Sequence, residues 1–393
     1  MLELLAPAGN LDAVIAAVQN GADAVYMGFG DGFNARRSAD NFTRESFAKA
    51  VRYCHIRGCK VYVTLNTLVG DREMEAAAAL AQQASDAGAD AILVQDLGLA
   101  RVLRDALPDI PLHASTQMSI HNLAGVEAAA EMGITRAVLS RELSLEQIRF
   151  ISQHASIETE VFVHGALCFC YSGQCYMSAL IGRRSGNRGA CAQPCRMQYS
   201  MGGRMDEYPL SLRDNCLADY LQQLDEAGVA CVKIEGRMKT ALYVATVART
   251  YRKAIDDYLE DPEKYKANME WYKEEIGKCT YREFTTGFYF GKPTSETQIY
   301  DSNTYVKNYI YLGTVEERDA RGFAKIEQKN KFSVGETIEI MKPDGRNISA
   351  LVRGIYTEEG ESQESAPHPK QILYIDLDGE VEQYDILRKK EAE

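Results

Sequence analysis

The hydrophobic positions of the first 240 residues form short continuous runs that alternate with amphipathic stretches. Eight runs predict buried parallel strands, because they are apolar throughout instead of alternating with polar residues. They span residues 3–6, 24–28, 60–66, 91–96, 111–117, 136–141, 157–164 and 231–237. Between them Ala, Leu, Val and Ile recur at three- and four-residue spacing, which predicts helices at residues 11–20, 44–57, 73–87, 123–132 and 217–227.

Local signals support these helix boundaries. Asn10, Thr43 and Ser144 stand at N-cap positions, and Gln147 completes a capping-box spacing with Ser144. A glycine ends several helices just before the next apolar run, at positions 21, 88, 133 and 228, which predicts a left-handed C-cap. Eight strands with intervening helices predict an α/β fold, a (β/α)8 TIM-type barrel, with a doubly wound open sheet as the alternative.

The alternation of predicted strands and helices is interrupted once and ends before the C-terminal part of the chain. We predict a barrel domain over residues 1–260, with an insertion at about 165–210 that leaves the C-terminal end of the seventh strand, the barrel face that carries active sites. Residues 261–299 predict a charged helical connector. From residue 300 to 393, strand-like runs separated by turns such as Asp344-Gly345 and Asp378-Gly379 predict a small C-terminal all-β barrel.

Composition narrows the function classes. The chain has 393 residues, 46% hydrophobic and 25% charged, with a net charge of −12. A protein this acidic does not coat nucleic acid non-specifically, so an RNA partner requires a local basic patch. No apolar run approaches the roughly 18 residues of a membrane span, so we expect no membrane association. The N-terminal residues MLELLAPAGN carry no basic segment typical of a signal peptide, and we expect a cytoplasmic protein with reduced cysteines.

Half of the ten cysteines are concentrated in the predicted insertion, at positions 168, 170, 175, 191 and 195. Cys168, Cys175, Cys191 and Cys195 have the spacing C-x6-C-x15-C-x3-C. Four thiolates suit an iron–sulfur cluster or tetrahedral zinc. The irregular spacing and the absence of paired C-x2-C knuckles favour the cluster. Cys170 is an alternative to Cys168 as the first ligand.

The same insertion is locally basic. Five arginines and no acidic residue lie between residues 181 and 204: Arg183, Arg184, Arg188, Arg196 and Arg204. A solvated loop is the simplest explanation. The functional alternative is an anion site for RNA phosphates or a carboxylate metabolite, and we predict that Arg183, Arg184 and Arg188 bind substrate.

Polar residues at the ends of the predicted strands complete the candidate pocket, because such residues surround the active site of a barrel. The catalytic candidates are Arg141, Glu142, His164, Lys233 and Glu235, and the further substrate-binding candidates are Asn66, Gln117 and Arg237. Buried ion pairs are the alternative explanation for these charges. The chain contains no H-E-x-x-H, G-x-S-x-G or P-loop motif.

Several long segments resemble the U32 peptidase family. Residues 160–178, EVFVHGALC followed by YSGQCYMS, resemble its signature, and further similarity lies in ELLAPAGN, GADAVYMG, HASTQMSIHN, VLSRELSL, NRGACAQPCR and VKIEGRMK. The stretch AKIEQKNKFSVGETIEIMKPDG resembles the family's small C-terminal β-barrel. The resemblance therefore extends along the whole chain.

The resemblance implies chemistry as well as fold. The family is named for a collagenase-type protease activity without assigned catalytic residues, whereas other members act in oxygen-independent hydroxylation of tRNA uridine, ribosomal RNA cytidine and ubiquinone precursors. It implies a [4Fe–4S] cluster on Cys168, Cys175, Cys191 and Cys195, with prephenate as a metabolite of the RNA-directed members. Cys170 departs from many relatives.

From the residues and the resemblance together we predict an iron–sulfur enzyme that forms 5-hydroxyuridine in tRNA or modifies another structured RNA. The alternatives are a peptidase of unknown catalytic type and a non-catalytic partner subunit. Both a homo-oligomer and a hetero-oligomer stay open.

Overall fold

The computed structural model describes residues 2–30, 32–36 and 41–391, with the backbone alone at Met201 and residues 204–206. In chain order the first strands are β1 (Glu3–Pro7), β2 (Ala24–Met27), β3 (Lys60–Leu65), β4 (Ala91–Val94), β5 (Leu112–Ala114), β6 (Ile134–Val138), β7 (Glu158–Ala166), β8 (Tyr199–Met201), β9 (Arg204–Glu207), β10 (Asp214–Cys216), β11 (Cys231–Ile234) and β12 (Phe284–Thr285). The C-terminal strands are β13 (Tyr309–Arg318), β14 (Ala324–Glu327), β15 (Thr337–Met341), β16 (Asn347–Tyr356), β17 (Ser362–Gln363), β18 (Ile372–Leu377) and β19 (Ile386–Lys390). The α-helices are α1 (Leu11–Gln19), α2 (Arg44–His55), α3 (Met74–Asp86), α4 (Leu97–Ala106), α5 (Leu123–Glu131), α6 (Leu145–His154), α7 (Met177–Gly182), α8 (Leu221–Glu226), α9 (Ala241–Glu260), α10 (Pro262–Ala267) and α11 (Met269–Ile276).

Eight parallel strands close into a barrel. Strands β1 to β7 pair in sequence order, and β11 pairs with both β1 and β7, which closes the ring. This closure confirms the predicted (β/α)8 barrel and excludes the doubly wound sheet, which has two free edges. Helices α1 to α6, α8 and α9 alternate with or follow the barrel strands.

The predicted caps and turns position the strands. The side chains of Asn10, Thr43 and Ser144 accept hydrogen bonds from backbone N–H groups of the helices that they precede, and Ser144 forms the predicted capping box with Gln147. The glycines at 21, 88, 133 and 228 all have φ between 79° and 96°, the left-handed conformation expected of them. Predicted strands at 111–117 and 231–237 are shorter in the structure, because their polar last residues leave the sheet and enter the barrel mouth.

The barrel interior is unusually polar below the mouth. Tyr26, Tyr62 and Phe162 contribute to its apolar contacts. Arg136 forms ion pairs with Glu3 at 2.6 Å and Glu160 at 3.6 Å. Burial of such charges is tolerated only because they are paired.

The C-terminal part forms a second closed ring of antiparallel strands. Its order is β15-β19-β13-β14-β18-β16, and β16 pairs back with β15, which confirms the predicted small all-β barrel.

A buried ion network joins this barrel to the helices that follow β11. Glu275 of α11 accepts hydrogen bonds from Arg388 of β19 at 2.6 Å and from Arg249 of α9. The two barrels therefore share a buried polar interface.

Candidate active site at the barrel mouth

A carboxylate held between two arginines occupies the mouth of the barrel. Glu235, which follows β11, lies 3.3 Å from Nη2 of Arg36 and 3.5 Å from Nη2 of Arg141. Burial by itself opposes ionisation of Glu235, but the charges of Arg36, Arg141 and Arg237 hold its pKa below the usual value for a glutamate. Glu235 is therefore ionised at neutral pH and anchors the loops that follow three different strands.

The mouth retains excess positive charge. Arg141 lies over the ring of Phe162, with 3.9 Å between its guanidinium carbon and the ring centroid. Its Nε atom is buried and has no hydrogen-bond partner within residues 2–30, 32–36 and 41–391. With three cations (Arg36, Arg141, Arg237) and one carboxylate, this group can bind a carboxylate or phosphate through paired guanidinium donors.

Arg237 and Asn66, both predicted to bind substrate, hold the loop that follows β2. Arg237 is only 4% exposed and donates to the Thr64 hydroxyl at 2.9 Å and to Oδ1 of Asn34 at 3.0 Å. Burial lowers the pKa of Arg237 to about 10, so it stays cationic at neutral pH. Asn66 accepts a hydrogen bond from the backbone N–H of Ala35 at 2.9 Å. Both side chains stabilise the mouth as well as lining it.

Lys233 lies inside the barrel, and Gln117 lies against Gly173 of the predicted insertion. Nζ of Lys233 is buried inside the barrel, 2.8 Å from a carboxylate oxygen of Glu160 and 4.4 Å from the ring centroid of Tyr26. It therefore acts on Glu235 only through its charge. Gln117 follows β5, and its backbone lies so close to Gly173 that a Cβ there would come within 2.3 Å of the Gln117 carbonyl oxygen. Position 173 accordingly requires glycine.

Glu142 connects the end of β6 to the cysteine-rich insertion. One of its carboxylate oxygens accepts hydrogen bonds from the backbone N–H of Ser172 at 2.8 Å and from the Ser172 hydroxyl at 3.0 Å. The other lies 3.1 Å from Nε2 of His121. The predicted catalytic residue Glu142 thus positions the insertion. The predictions from sequence missed His121 and Ser172, although both belong to segments, HASTQMSIHN and YSGQC, that carry the family resemblance.

Ser140, His121 and Glu142 together look like a hydrolytic triad, but their hydrogen bonds do not allow that chemistry. Nδ1 of His121 lies 2.7 Å from the carbonyl oxygen of Ser119 and 3.3 Å from the Ser140 hydroxyl. A bond to a carbonyl requires that Nδ1 carries the proton, so it cannot accept the proton of Ser140. The imidazole is fixed between a carbonyl and a carboxylate, and we assign it a positioning role.

His164 lies apart from the arginine–glutamate group. Its ring is 1% exposed and contacts Tyr243 and Tyr251 of α9 and Phe284 of β12, with ring centroids 5.6 to 5.9 Å apart. Burial and the nearby charge of Lys239 lower the pKa of His164 to about 3. A buried imidazole with such a pKa is a poor general base near neutral pH.

The five clustered cysteines lie in one insertion that begins and ends beside the barrel mouth. We call residues 167–213 the Cys segment; β7 precedes it and β10 follows it, and the antiparallel pairing of Ala166 with Asp214 fixes both ends together. Inside the segment, the Ser178 hydroxyl of α7 accepts from the backbone N–H of Ala192 at 3.1 Å. The short helix is thereby tied to the region of the last two cysteines.

Polar hydrogens surround the Cys191 sulfur. The backbone N–H of Gln193 lies 3.3 Å from Sγ and the Ser178 hydroxyl 3.7 Å from it. Hydrogen bonds of this kind stabilise a thiolate and tune a metal–thiolate centre.

The remaining thiols influence one another and the arginines of the mouth. Burial raises the pKa of Cys195 to about 11, and the neighbouring Cys168, Cys191 and Cys175 add to the effect while Arg196 opposes it. Burial and a hydrogen bond with Cys175 raise the pKa of Cys170 to about 12. Burial also raises the pKa of the Cys168 thiol, which the charge of Arg141 opposes, and the charge of Glu235, with a smaller effect from Cys191, raises the pKa of Arg36.

Four of these thiols form a donor set that a metal centre can use. Within the part of the chain that the structure describes, no three His, Cys, Asp or Glu side chains converge on one metal-ion position. Four cysteine thiolates suit either a tetrahedral zinc ion or a four-iron cluster. The donor set of Cys168, Cys175, Cys191 and Cys195 suits such a cluster, with Cys170 beside it.

The arginines of the Cys segment have different roles. Arg183 and Arg184 are exposed, and neither forms an ion pair with any described residue. Arg188 pairs with Glu73 at 2.6 Å. Arg196 is buried and donates to the Ser211 hydroxyl at 3.0 Å, so it stabilises the segment. The side chain of the fifth arginine, at position 204, lies outside the described residues.

Across the described helices, none combines the length and apolar character needed to cross a membrane.

A parallel eight-stranded barrel with a cysteine-rich excursion at its C-terminal mouth and a small β-barrel behind it defines a distinct class of protein. The sequence matches the profile of peptidase family U32 over residues 9–299 and that of the peptidase family U32 C-terminal domain over residues 307–388. The chain belongs to this family.

Relatives within the family have different names. The tRNA hydroxylation protein P1 of Bacillus subtilis (strain 168) is 36% identical over 98% of this chain and 94% of its own length. The 23S rRNA 5-hydroxycytidine C2501 synthase of Escherichia coli (strain K12) is 43% identical over 66% of this chain, which corresponds to 40% of that protein. The collagenase of Porphyromonas gingivalis (strain ATCC BAA-308 / W83) is 32% identical over 87% of this chain and 86% of its own length.

Proposed function

We propose that this U32 protein hydroxylates a pyrimidine base of RNA, uridine in tRNA above all, with a [4Fe–4S] cluster on Cys168, Cys175, Cys191 and Cys195. The proposal rests on one observation. The Cys segment meets the cation group around Glu235 at the barrel mouth: the backbone N–H of Arg141 donates to the Ser172 hydroxyl at 3.4 Å, and Glu142 accepts from the backbone N–H of the same serine at 2.8 Å. Redox chemistry and anion binding are thereby combined in one place.

The reaction itself sets what the site must provide. Conversion of uridine to 5-hydroxyuridine replaces a C–H bond by C–OH, which adds one oxygen atom and removes two electrons from the base. A hydroxylated co-substrate, R–OH, can supply both the oxygen atom and the two-electron acceptor, since U–H and R–OH then give U–OH and R–H, and the cluster, when bound, would pass the electrons one at a time. We propose a small carboxylate metabolite, prephenate, as the co-substrate.

The residues of the mouth suit a carboxylate co-substrate. Arg36 and Arg141 bind it, and the unpaired Nε–H of Arg141 is a donor for its carboxylate. Phe162 excludes water beneath the Arg141 guanidinium and so strengthens this interaction. Glu235 fixes both guanidinium groups in place before the ligand arrives.

A peptidase is the second candidate function, and the name of one relative supports it. Peptide hydrolysis needs an activated nucleophile or a metal-bound water. The nearest arrangement, Ser140 with His121 and Glu142, has its Nδ1 proton committed to the Ser119 carbonyl. RNA hydroxylation agrees better with this geometry.

Mass spectrometry of nucleosides tests the proposal. Total tRNA and ribosomal RNA from a strain that lacks the gene are digested and compared with RNA from its parent. We expect one hydroxylated pyrimidine to disappear from the deletion strain and to return with the wild-type gene. Identical nucleoside profiles in both strains would overturn the proposal.

A further inference from the structure

We propose that the Cys segment carries an aromatic platform, formed by Phe169, Tyr171 and Tyr176, on which unpaired bases of the RNA substrate stack. This inference rests on the proposed function and names the surface that recognises the RNA, as distinct from the site that reacts with it.

The Cys segment has an unusual density of exposed apolar side chains. Seventeen large hydrophobic residues are exposed among the described residues, and six of these lie between positions 169 and 197. They are Phe169, Tyr171, Tyr176, Leu180, Ile181 and Met197. Exposed apolar side chains concentrated in one segment point to an interaction site, whereas single exposed apolar residues do not.

Tyr171 is already held in place in the free protein. Its ring is 66% exposed, yet its edge meets the ring of His121 with 5.8 Å between centroids at an interplanar angle of 66°. His121 is in turn fixed by Glu142 and by the Ser119 carbonyl. The adjacent Ser172 is fixed by the same carboxylate. A preorganised aromatic side chain loses little conformational entropy when a base stacks on it.

Charge identifies the partner as a polyanion. No acidic residue occurs between positions 168 and 205, although the whole chain has a net charge of −12. Arg183 and Arg184 follow α7, are exposed, and have no ion-pair partner among the described residues. Recognition of single-stranded RNA combines two elements: arginines that neutralise phosphates, and aromatic rings on which bases stack.

The chemistry also requires unpaired bases. The C5 atom of a uridine within a stacked helix is not accessible to a group inside a barrel mouth, so the base must be displaced from the stack. A platform beside the mouth stabilises the neighbouring bases while the target enters it. We therefore expect binding to single-stranded segments and loops, and weak binding to an uninterrupted duplex.

The test measures RNA affinity of the intact, anaerobically prepared protein. The probe is a single-stranded oligoribonucleotide that contains 2-aminopurine, whose fluorescence reports stacking, and the same sequence as a duplex is the comparison. The variants are Tyr171→Leu and Tyr176→Leu, with Tyr171→Phe as the conservative form. Phe150→Leu is the matched control, because Phe150 is 56% exposed on α6, outside the Cys segment. Iron content and circular dichroism verify that each variant is folded and loaded.

The inference predicts that Tyr171→Leu weakens single-strand binding by about 5- to 150-fold, the loss expected for one base–aromatic stack. Tyr171→Phe and Phe150→Leu should bind as the wild type does. The slope of log affinity against log salt concentration should be the same for the Leu variant as for the wild type. Replacement of Arg183 and Arg184 by Ala should reduce the magnitude of this slope by about 0.7 for each lost phosphate contact.

Three results would overturn the inference: unchanged binding by both Leu variants, loss of binding in the Phe variant as well, or preference of the wild type for duplex. If the Leu variants bind RNA as the wild type does but no longer capture a protein that the wild type captures, the surface binds a protein partner instead. Failure of the proposed function has a different signature. In that case the nucleoside profile is unchanged by gene deletion, whatever the binding assay shows.

Discussion

The carboxylate of Glu142 lies 3.1 Å from Nε2 of His121 and, through its other oxygen, 2.8 Å from the backbone nitrogen of Ser172. One side chain beyond the end of β6 thus fixes both a histidine of the loop that follows β5 and the start of the Cys segment. The segment is attached to the barrel by charge-assisted hydrogen bonds in addition to the pairing of β10 with β7.

Glu142→Gln should loosen the Cys segment. The amide can accept fewer and weaker hydrogen bonds, and bonds to a charged group contribute about 1.5–3 kcal/mol each. We expect amide hydrogen exchange across residues 168–178 to accelerate at least tenfold and the cluster to bleach faster in air. Glu146→Gln is the control, because Glu146 is exposed on α6. Equal exchange rates in both variants would show that Glu142 does not hold the segment.

His164 makes the stability of the fold depend on pH. Its folded pKa of about 3 lies below the value of 6.5 expected when it is unfolded. The unfolded chain therefore binds a proton that the folded chain excludes, and stability is lost as pH falls from about 6.5 toward 3. Between pH 7 and pH 5 this one group should reduce the free energy of unfolding by about 2 kcal/mol.

The measurement is urea unfolding at both pH values for the wild type and for His164→Gln. The variant should be less stable at pH 7 but should lose about 2 kcal/mol less on acidification. If both proteins respond equally to pH, the imidazole is not buried in its neutral form.

The regular part of the fold was predictable because its signals are local. Continuous apolar runs, caps such as Ser144 with Gln147, and glycines such as Gly88 at helix ends each act within a few residues, and they placed the strands and helices within a few positions. The Cys segment was also predictable in outline, from the interval between β7 and β11.

The pairing of charges was not predictable, because partners lie far apart along the chain. Arg36 and Glu235 are separated by 199 residues and meet only when the barrel closes. Lys233 looked like a residue of the mouth, but Glu160 on the neighbouring strand holds it inside the barrel. His164 looked accessible at a strand end, but α9 and β12 cover it.

The buried pair between Glu275 and Arg388 should couple the two barrels. Burial opposes ionisation of Glu275, but Arg249 and Arg388 outweigh it and lower the pKa of Glu275 to about 2. Its contribution is therefore present above about pH 4.5 and is lost as pH falls toward 2. Glu275→Gln removes the ion-pair partner of Arg249 and leaves Arg388 with Glu339 alone, and it should cost about 3–5 kcal/mol.

Denaturant unfolding should show this loss as earlier separation of the C-terminal barrel. Lys49→Met is the control, since Lys49 pairs with Glu45 on an exposed helix face and its removal should cost at most about 1 kcal/mol. Similar losses in the two variants would mean that the interface network does not stabilise the assembly.

Arg141→Lys tests the anion site without removing its charge. Lysine lacks the planar fork that binds a carboxylate through two donors and that lies over Phe162. We expect iron content to stay at the wild-type level while formation of the hydroxylated nucleoside falls at least tenfold and responds to added prephenate only at higher concentration. Wild-type activity in this variant would remove Arg141 from the substrate site.

We propose above all that a cluster on the Cys segment supports hydroxylation of RNA. Its most direct test is complementation of the deletion strain with wild type, Cys191→Ala or Cys54→Ala, with iron and sulfide measured on each purified protein and hydroxylated nucleosides measured in the RNA. Cys54, buried in α2, is the control. We predict about four irons and four sulfides per chain and normal modification for wild type and Cys54→Ala, and neither cluster nor modification for Cys191→Ala. Normal modification by a Cys191→Ala protein without iron, or stoichiometric zinc without sulfide in the wild type, would exclude a cluster-dependent hydroxylation.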